Sequence, residues 1–248
     1  MRSRPALPRT RFARAHATGS DWRSLGDVLL EQRADRPDGR LAFIYADHSL
    51  AGDGDRILDY LRSHTGIPHW VGTVGLGLCS TGRETYEEAA AAVLVTDWDE
   101  DDFRVLPSID QDPAAALASN ADWRTRTLAT FAVTHGDPGN AHTPELIAAL
   151  ANGLEGGYLV GGLTSSGSYY YQLAAAISEG PLSGVGFSAP VPGVSGLGRG
   201  CAPHGAGASL PPRRAGRCPL WNERRSDMRH LHAVGAAHHQ TNRFNRQL

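Results

Sequence analysis

The chain of 248 residues contains no lysine; all 24 of its basic residues are arginine. That excludes a P-loop, which needs a lysine to reach the nucleotide phosphates. Cysteine is sparse as well. Cys79, Cys201 and Cys218 are an odd number, without the spacing of a disulfide framework or of a tight zinc-binding pair. A reducing compartment suits them, and no metal or other cofactor is expected. No apolar run reaches the roughly 18 to 20 residues that a membrane helix requires. Met1 to Ser20 also lacks the continuous apolar stretch of a secretory signal. A cytoplasmic protein with no membrane partner is the expectation. There is no Gly-x-Ser-x-Gly elbow. Gly75-Leu76-Gly77 lacks the third glycine and the following helix of a dinucleotide fingerprint.

Hydrophobic residues make up 41 % and charged residues 20 % of the chain, the balance of an ordinary globular protein. Charge is split along it. Residues 1–190 carry 15 Arg against 24 acids, whereas 191–248 carry 9 Arg against only Glu223 and Asp227. With abundant Ala and Gly, the arginine-only usage reads like a GC-rich coding sequence. Five arginines and no acid within the first 20 residues suggest a frayed basic leader over 1–19, with a transit peptide as the alternative.

Capped by Ser20 or Asp21, a helix is expected from Trp22 towards Arg33, with Trp22, Leu25, Val28 and Leu29 on one face. Leu41 to Tyr45 is an apolar run of strand length, and Asp53 to His64 follows as a helix facing inward through Ile57, Leu58 and Leu61. Trp70 to Leu78 reads as a Gly-rich strand opening into Cys79-Ser80-Thr81-Gly82. Ala89–Trp98 and Phe103–Leu106 read as returning strands. The order then recurs: Leu128–Val133 as a strand, a helix starting at Thr143-Pro144-Glu145 with Thr143 as cap, and Leu146, Ile147 and Leu150 placed 89 residues after Ile57, Leu58 and Leu61. Val160-Gly161-Gly162 falls at the same offset from Val71-Gly72-Thr73, Ser165-Ser166-Gly167 answers Ser80-Thr81-Gly82, and Gly184–Ala189 answers Ala92–Asp97.

The expected fold class is therefore α/β, of mixed α+β character. An internally duplicated strand-helix-strand-strand unit, with repeats at about 40–106 and 127–190, builds a mixed sheet with helices packed on it. A pseudo-twofold arrangement is expected, with a partly helical connector over 110–127.

The ordered motifs Val71-Gly72 through Cys79-Ser80-Thr81-Gly82, then Val160-Gly161-Gly162, then Gly200-Cys201-Ala202-Pro203, resemble those of the FIST N-terminal domain. The likeness covers about 35–203, within a domain read as 20–203. It implies a non-catalytic sensory domain of intracellular signal transduction that binds a small ligand, amino acids among the possibilities, and passes the signal to a partner protein or to a FIST C-terminal domain. Past Pro203 that second pattern does not appear. Residues 204–248 are rich in Arg, His and Pro and have no helical or strand period, which suggests a wrong reading frame or a spliced end. A truncated, non-functional product is one alternative reading, and nucleic-acid binding by this tail is not expected.

For chemistry, Gly72 with Cys79, Ser80, Thr81 and Gly82 offers backbone N–H groups and hydroxyls to a ligand; close packing explains the glycines equally well. His48 and His135 each follow the apolar part of a repeat's first strand, where ligands gather in open α/β sheets; exposed loop histidines are the plainer reading. Gly161, Gly162, Ser165 and Ser166 are the second repeat's counterparts. An enzyme using the histidines or Cys79 is the remaining alternative, although no partner base can be assigned. For Tyr169-Tyr170-Tyr171, strand alternation sends Tyr170 to the face opposite its neighbours.

Overall fold

Leu41-Ala-Phe-Ile-Tyr45 is apolar on both faces, and the computed structural model shows why: both faces are covered. The residues described are 12–32, 39–110, 113–129, 131–154, 158–167 and 169–191. Contacts divide the chain into Met1–Ser195 and Gly196–Leu248, and every described residue belongs to the first unit. In chain order the elements are β1 (Phe12–Thr18), α1 (Trp22–Glu31), β2 (Leu41–Asp47), a 3-10 helix (His48–Asp53) and α2 (Gly54–Thr65). Next come β3 (His69–Gly75), β4 (Gly77–Ser80), β5 (Arg83–Tyr86), β6 (Ala90–Thr96), β7 (Phe103–Leu106), α3 (Pro113–Ser119) and α4 (Ala121–Thr127). The remainder are β8 (Phe131–Gly136), α5 (Thr143–Gly153), β9 (Tyr158–Leu163), β10 (Gln172–Ala174), β11 (Ala176–Ser178) and β12 (Leu182–Phe187).

These strands form a six-stranded sheet in the order β1-β6-β2-β3-β10-β11, a four-stranded sheet in the order β7-β12-β8-β9, and the β4–β5 hairpin. Both larger sheets are mixed. β2 runs parallel to β3 and antiparallel to β6; β8 runs parallel to β9 and antiparallel to β12. Helices α2 and α5 make the two parallel crossovers, as a strand-helix-strand order requires. The fold class is thus α/β with mixed sheets.

Three cores show the layering. Ala42 and Ile44 of β2 pack with Leu25 and Leu29 of α1 and Ile57, Leu58 and Leu61 of α2. On the opposite face of β2, Leu41 and Phe43 meet Phe103, Val185 and Phe187 of the smaller sheet. Ala132 and Leu182 on that sheet's far side pack with Leu146 and Leu150 of α5. Strand alternation places successive residues in different cores, and the result is a helix-sheet-sheet-helix sandwich. Among the described residues Trp70 is the largest fully buried side chain; its indole N–H donates to the Ile67 carbonyl at 2.9 Å, so its burial leaves no side-chain polar group unpaired.

The sheets share a connectivity. In each, one edge strand (β1 or β7) pairs antiparallel with a strand (β6 or β12) that in turn pairs antiparallel with the first strand of the parallel unit, β2 or β8. The resemblance is one of topology; descent from a duplicated sequence is a proposal that fits it. Gly72 faces Ile44 across β2–β3, and Gly161 faces Thr134 across β8–β9. A Cβ at either glycine would run into the carbonyl of that facing residue. Both glycines are explained by close strand approach.

Several expectations need correction. The leader read as 1–19 contains β1, whose Ala13, Ala15 and Ala17 are buried against α1. Alternation with Arg14 and His16 is the signal that the arginine content hid. The strand expected at Leu128–Val133 is Phe131–Gly136, because Leu128 takes a left-handed φ of 52° as the C-cap of α4. Thr143 is the first residue of α5, not its cap. Its hydroxyl shares its one proton between the Asp137 carbonyl at 2.7 Å and the Pro181 carbonyl at 3.2 Å, and His142 occupies the cap position without a side-chain bond. The Gly-rich strand breaks at Leu76. α1 does begin after Asp21, whose carboxylate accepts from the Ser24 N–H at 2.9 Å. Cys201, Cys218 and the 204–248 tail lie outside the described residues.

Candidate functional site

The two crossovers leave the C-terminal ends of β2 and β3 beside those of β8 and β9, and a cleft of about 340 Å³ opens there. Tyr45 and His135 line it from the two sheets; Thr73, Cys79, Gly162 and Ser165 are among the other lining residues. The site comes from two sheets, so no single segment encodes it.

Tyr45 and His135 hold equivalent places, each one residue beyond the position that faces the close-approach glycine: Ile44 opposite Gly72, Thr134 opposite Gly161. His135, only 3 % exposed, brings Nε2 within 3.1 Å of the Tyr45 hydroxyl, and the rings meet edge to face. Burial pushes the imidazole pKa down to about 4 and the phenol up to about 12, so both groups are neutral near pH 7. Nδ1 of His135 is buried with no hydrogen-bond partner. If Tyr45 donates to Nε2, Nδ1 carries an unused proton; if Nε2–H donates to Tyr45, Nδ1 is an unused acceptor.

Beside this pair, Thr73 donates to the Tyr171 carbonyl at 2.9 Å, so the 2.7 Å bond with Thr164 has Thr164 as donor. Ser165 accepts from the Leu76 N–H at 3.2 Å. These bonds tie the loop after β9 to the end of β3 and form one wall of the cleft.

The candidates taken from the sequence therefore divide. Cys79, His135, Gly161, Gly162 and Ser165 line the cleft. Gly72 is buried between strands and does not. Thr81 and Gly82 form the exposed tip of the β4–β5 hairpin, where a φ of 76° at Gly82 accounts for the glycine. Ser166 is buried, its hydroxyl accepting from the Tyr169 N–H at 3.2 Å. His48 begins the 3-10 helix beside Gly167 and is not a counterpart of His135; Tyr45 holds that place. Strand length alone did not show this, because β2 and β8 enter their turns differently.

Ser80 has a structural partner that sequence reasoning missed. The ring of His16, on β1, bonds Ser80 Oγ through Nδ1 and Thr85 Oγ1 through Nε2, both at 2.8 Å, which clamps the β4–β5 hairpin onto the large sheet. Burial, helped by Arg83, lowers the His16 pKa. The signal was available in the alternation of Ala13, Ala15 and Ala17 with Arg14 and His16. The sulfur of Cys79 lies 3.9 Å from the Tyr86 hydroxyl. Tyr169 and Tyr171 stack at 5.4 Å, on one side as alternation suggested.

Among the described residues no group of three or more His, Cys, Asp or Glu is placed to hold a metal ion, and no helix is long and apolar enough to cross a membrane. No curated protein matches the chain. The FIST N domain matches residues 40–208, which takes in both parallel crossovers and all the residues that line the cleft. By that match, over more than half its length, the chain belongs to the FIST N domain family.

Proposed function

We propose that this chain is a small-ligand sensor that holds its ligand, without catalysis, in the cleft between the two sheets. FIST domains are sensory domains of signal transduction, and a sensing role is consistent with that membership. The observation that carries the reading is the buried His135, which lines a cleft large enough for a small molecule and whose Nδ1 has no hydrogen-bond partner. Amino acids are the ligand class that the family resemblance suggests, a signalling protein is the partner it implies, and the cytoplasm is the expected site of action.

The enzymatic alternative draws on one observation: Cys79 and His135 share the cleft. They are not coupled. The hydrogen bond of His135 goes to Tyr45 and that of Cys79 to Tyr86, so neither activates the other. Binding is the better-supported role.

Gly162 provides the test. It lines the cleft, and a Cβ there meets nothing within 4 Å, so a larger side chain can start into the cleft from an unobstructed Cβ. In a thermal-shift screen of amino acids and other small metabolites on the full chain, some compound is expected to raise the unfolding temperature. Gly162→Leu is expected to abolish that rise while its own unfolding temperature stays within about 2 °C of the parent's. Stabilisation that persists in Gly162→Leu would place the ligand elsewhere and end the proposal for this cleft.

A further inference from the structure

Among the described residues that line the cleft there is no Asp, Glu or Arg. Its polar groups are the Tyr45 phenol, the Thr73 and Ser165 hydroxyls, the Cys79 thiol and the His135 imidazole. The unspent polar atoms on the same inter-sheet face are also neutral. Gln172 pairs with the cleft residue Thr73, is fully buried, and has neither carboxamide atom bonded. Ser183 pairs with His135 and buries an unpartnered hydroxyl.

Nearby ionised groups are committed elsewhere. Asp47, at the end of β2, accepts from the Ser49 N–H at 2.9 Å and from its hydroxyl at 2.5 Å. The helix N-termini that follow β2 and β8 favour anions in general. Here each already carries acid: Asp47 at the cap of the 3-10 helix, Asp55 in the first turn of α2, and Glu145 in that of α5. An ion entering the cleft would shed water and find no counter-charge, which costs far more than desolvating a neutral group that recovers its hydrogen bonds.

We infer that the cleft selects an uncharged polar ligand, with donor and acceptor adjacent as in a primary amide or lactam, over carboxylates, ammonium ions and zwitterions. The inference rests on the cleft being a ligand site and narrows its chemistry, which turns it away from free amino acids. With Nε2 of His135 taken by Tyr45, the neutral imidazole has one nitrogen left, Nδ1, and the lining hydroxyls of Tyr45 and Ser165 are neutral groups that can give or accept a hydrogen bond, a set that suits a neutral donor–acceptor group better than an ion.

The experiment is ligand-observed NMR on the full chain and on Gly162→Leu, with fragments in matched triplets: benzamide, benzoate and benzylammonium as the first, and N-acetyl-leucinamide, N-acetyl-leucinate and leucine as the second. Binding at the cleft is defined as signal lost in Gly162→Leu. The neutral member of a triplet is expected to bind there about tenfold or more tightly than its charged partners. If a charged member binds at the cleft as tightly as the neutral one, this inference fails and the sensor reading stands. Should no member of either triplet give a signal that Gly162→Leu removes, the cleft is not a ligand site and both readings fall.

Discussion

The hydrogen bond between Tyr45 and His135 joins the two sheets at the point where each has a polar side chain facing inward. Losing the Tyr45 hydroxyl leaves both ring nitrogens of a buried histidine unpaired, which costs more than the net value of the bond itself. Tyr45→Phe is expected to lower stability by about 1–2 kcal/mol in urea denaturation. Replacing both partners removes both unmet polar groups. Tyr45→Phe with His135→Phe should therefore cost clearly less than the sum of the single changes; additive costs would show that the bond at 3.1 Å contributes nothing.

At the scale of elements, the parallel pairs and the hairpin depend on particular side chains. A Cβ at Gly72 would run into the Ile44 carbonyl of β2, so Gly72→Ala must push the strands apart or tilt β3. A loss of about 3 kcal/mol or more is expected, whereas Gly162→Ala, at an open position, should change stability by under about 0.5 kcal/mol; equal losses would contradict the close-approach explanation. The hairpin depends on His16, which holds Ser80 and Thr85 at once. In His16→Ala, amide hydrogen exchange across residues 77–86 should speed up while β2 stays protected. If β2 loosens equally, His16 supports the sheet and is not a clamp for the hairpin.

For the whole molecule, the buried histidines link stability to pH. The folded-state pKa of His135 is held near 4 by burial, while the unfolded chain takes up the proton near 6.5. His16 shifts in the same direction. Each is a histidine whose folded pKa is depressed, so its contribution is intact above about pH 6.5 and is lost as the pH falls towards the folded value. Tyr45 is the titratable group bonded to His135 and stays protonated throughout this range, so it supplies no opposing charge. Denaturation midpoints should fall between pH 6.5 and 4, with His135 accounting for about 3 kcal/mol across that window. His135→Gln should flatten the fall; an unchanged pH profile in that variant would place the linkage in other groups.

The elements themselves were largely legible in the chain. Period-2 and period-3.6 patterns, Gly-Ile-Pro at a helix end and the recurrence of strand, helix and Gly-rich strand gave an α/β class and the order of its parts. β1 is hard to read because the arginines that precede it and Arg14 on its outward side outweigh the alanines on its inward one, and the strand that precedes α5 reads three residues early because Leu128 is apolar yet caps a helix. The site was legible only in pieces. Cys79, His135, Gly161, Gly162 and Ser165 stood out as residues, but what brings them together is the stacking of two sheets, a long-range arrangement no local period reports. Tyr45 reads in the chain as one more apolar strand residue. Opposite His135, across the inter-sheet core, its hydroxyl becomes the bond between the sheets, and the same burial keeps the imidazole neutral at the wall of the cleft.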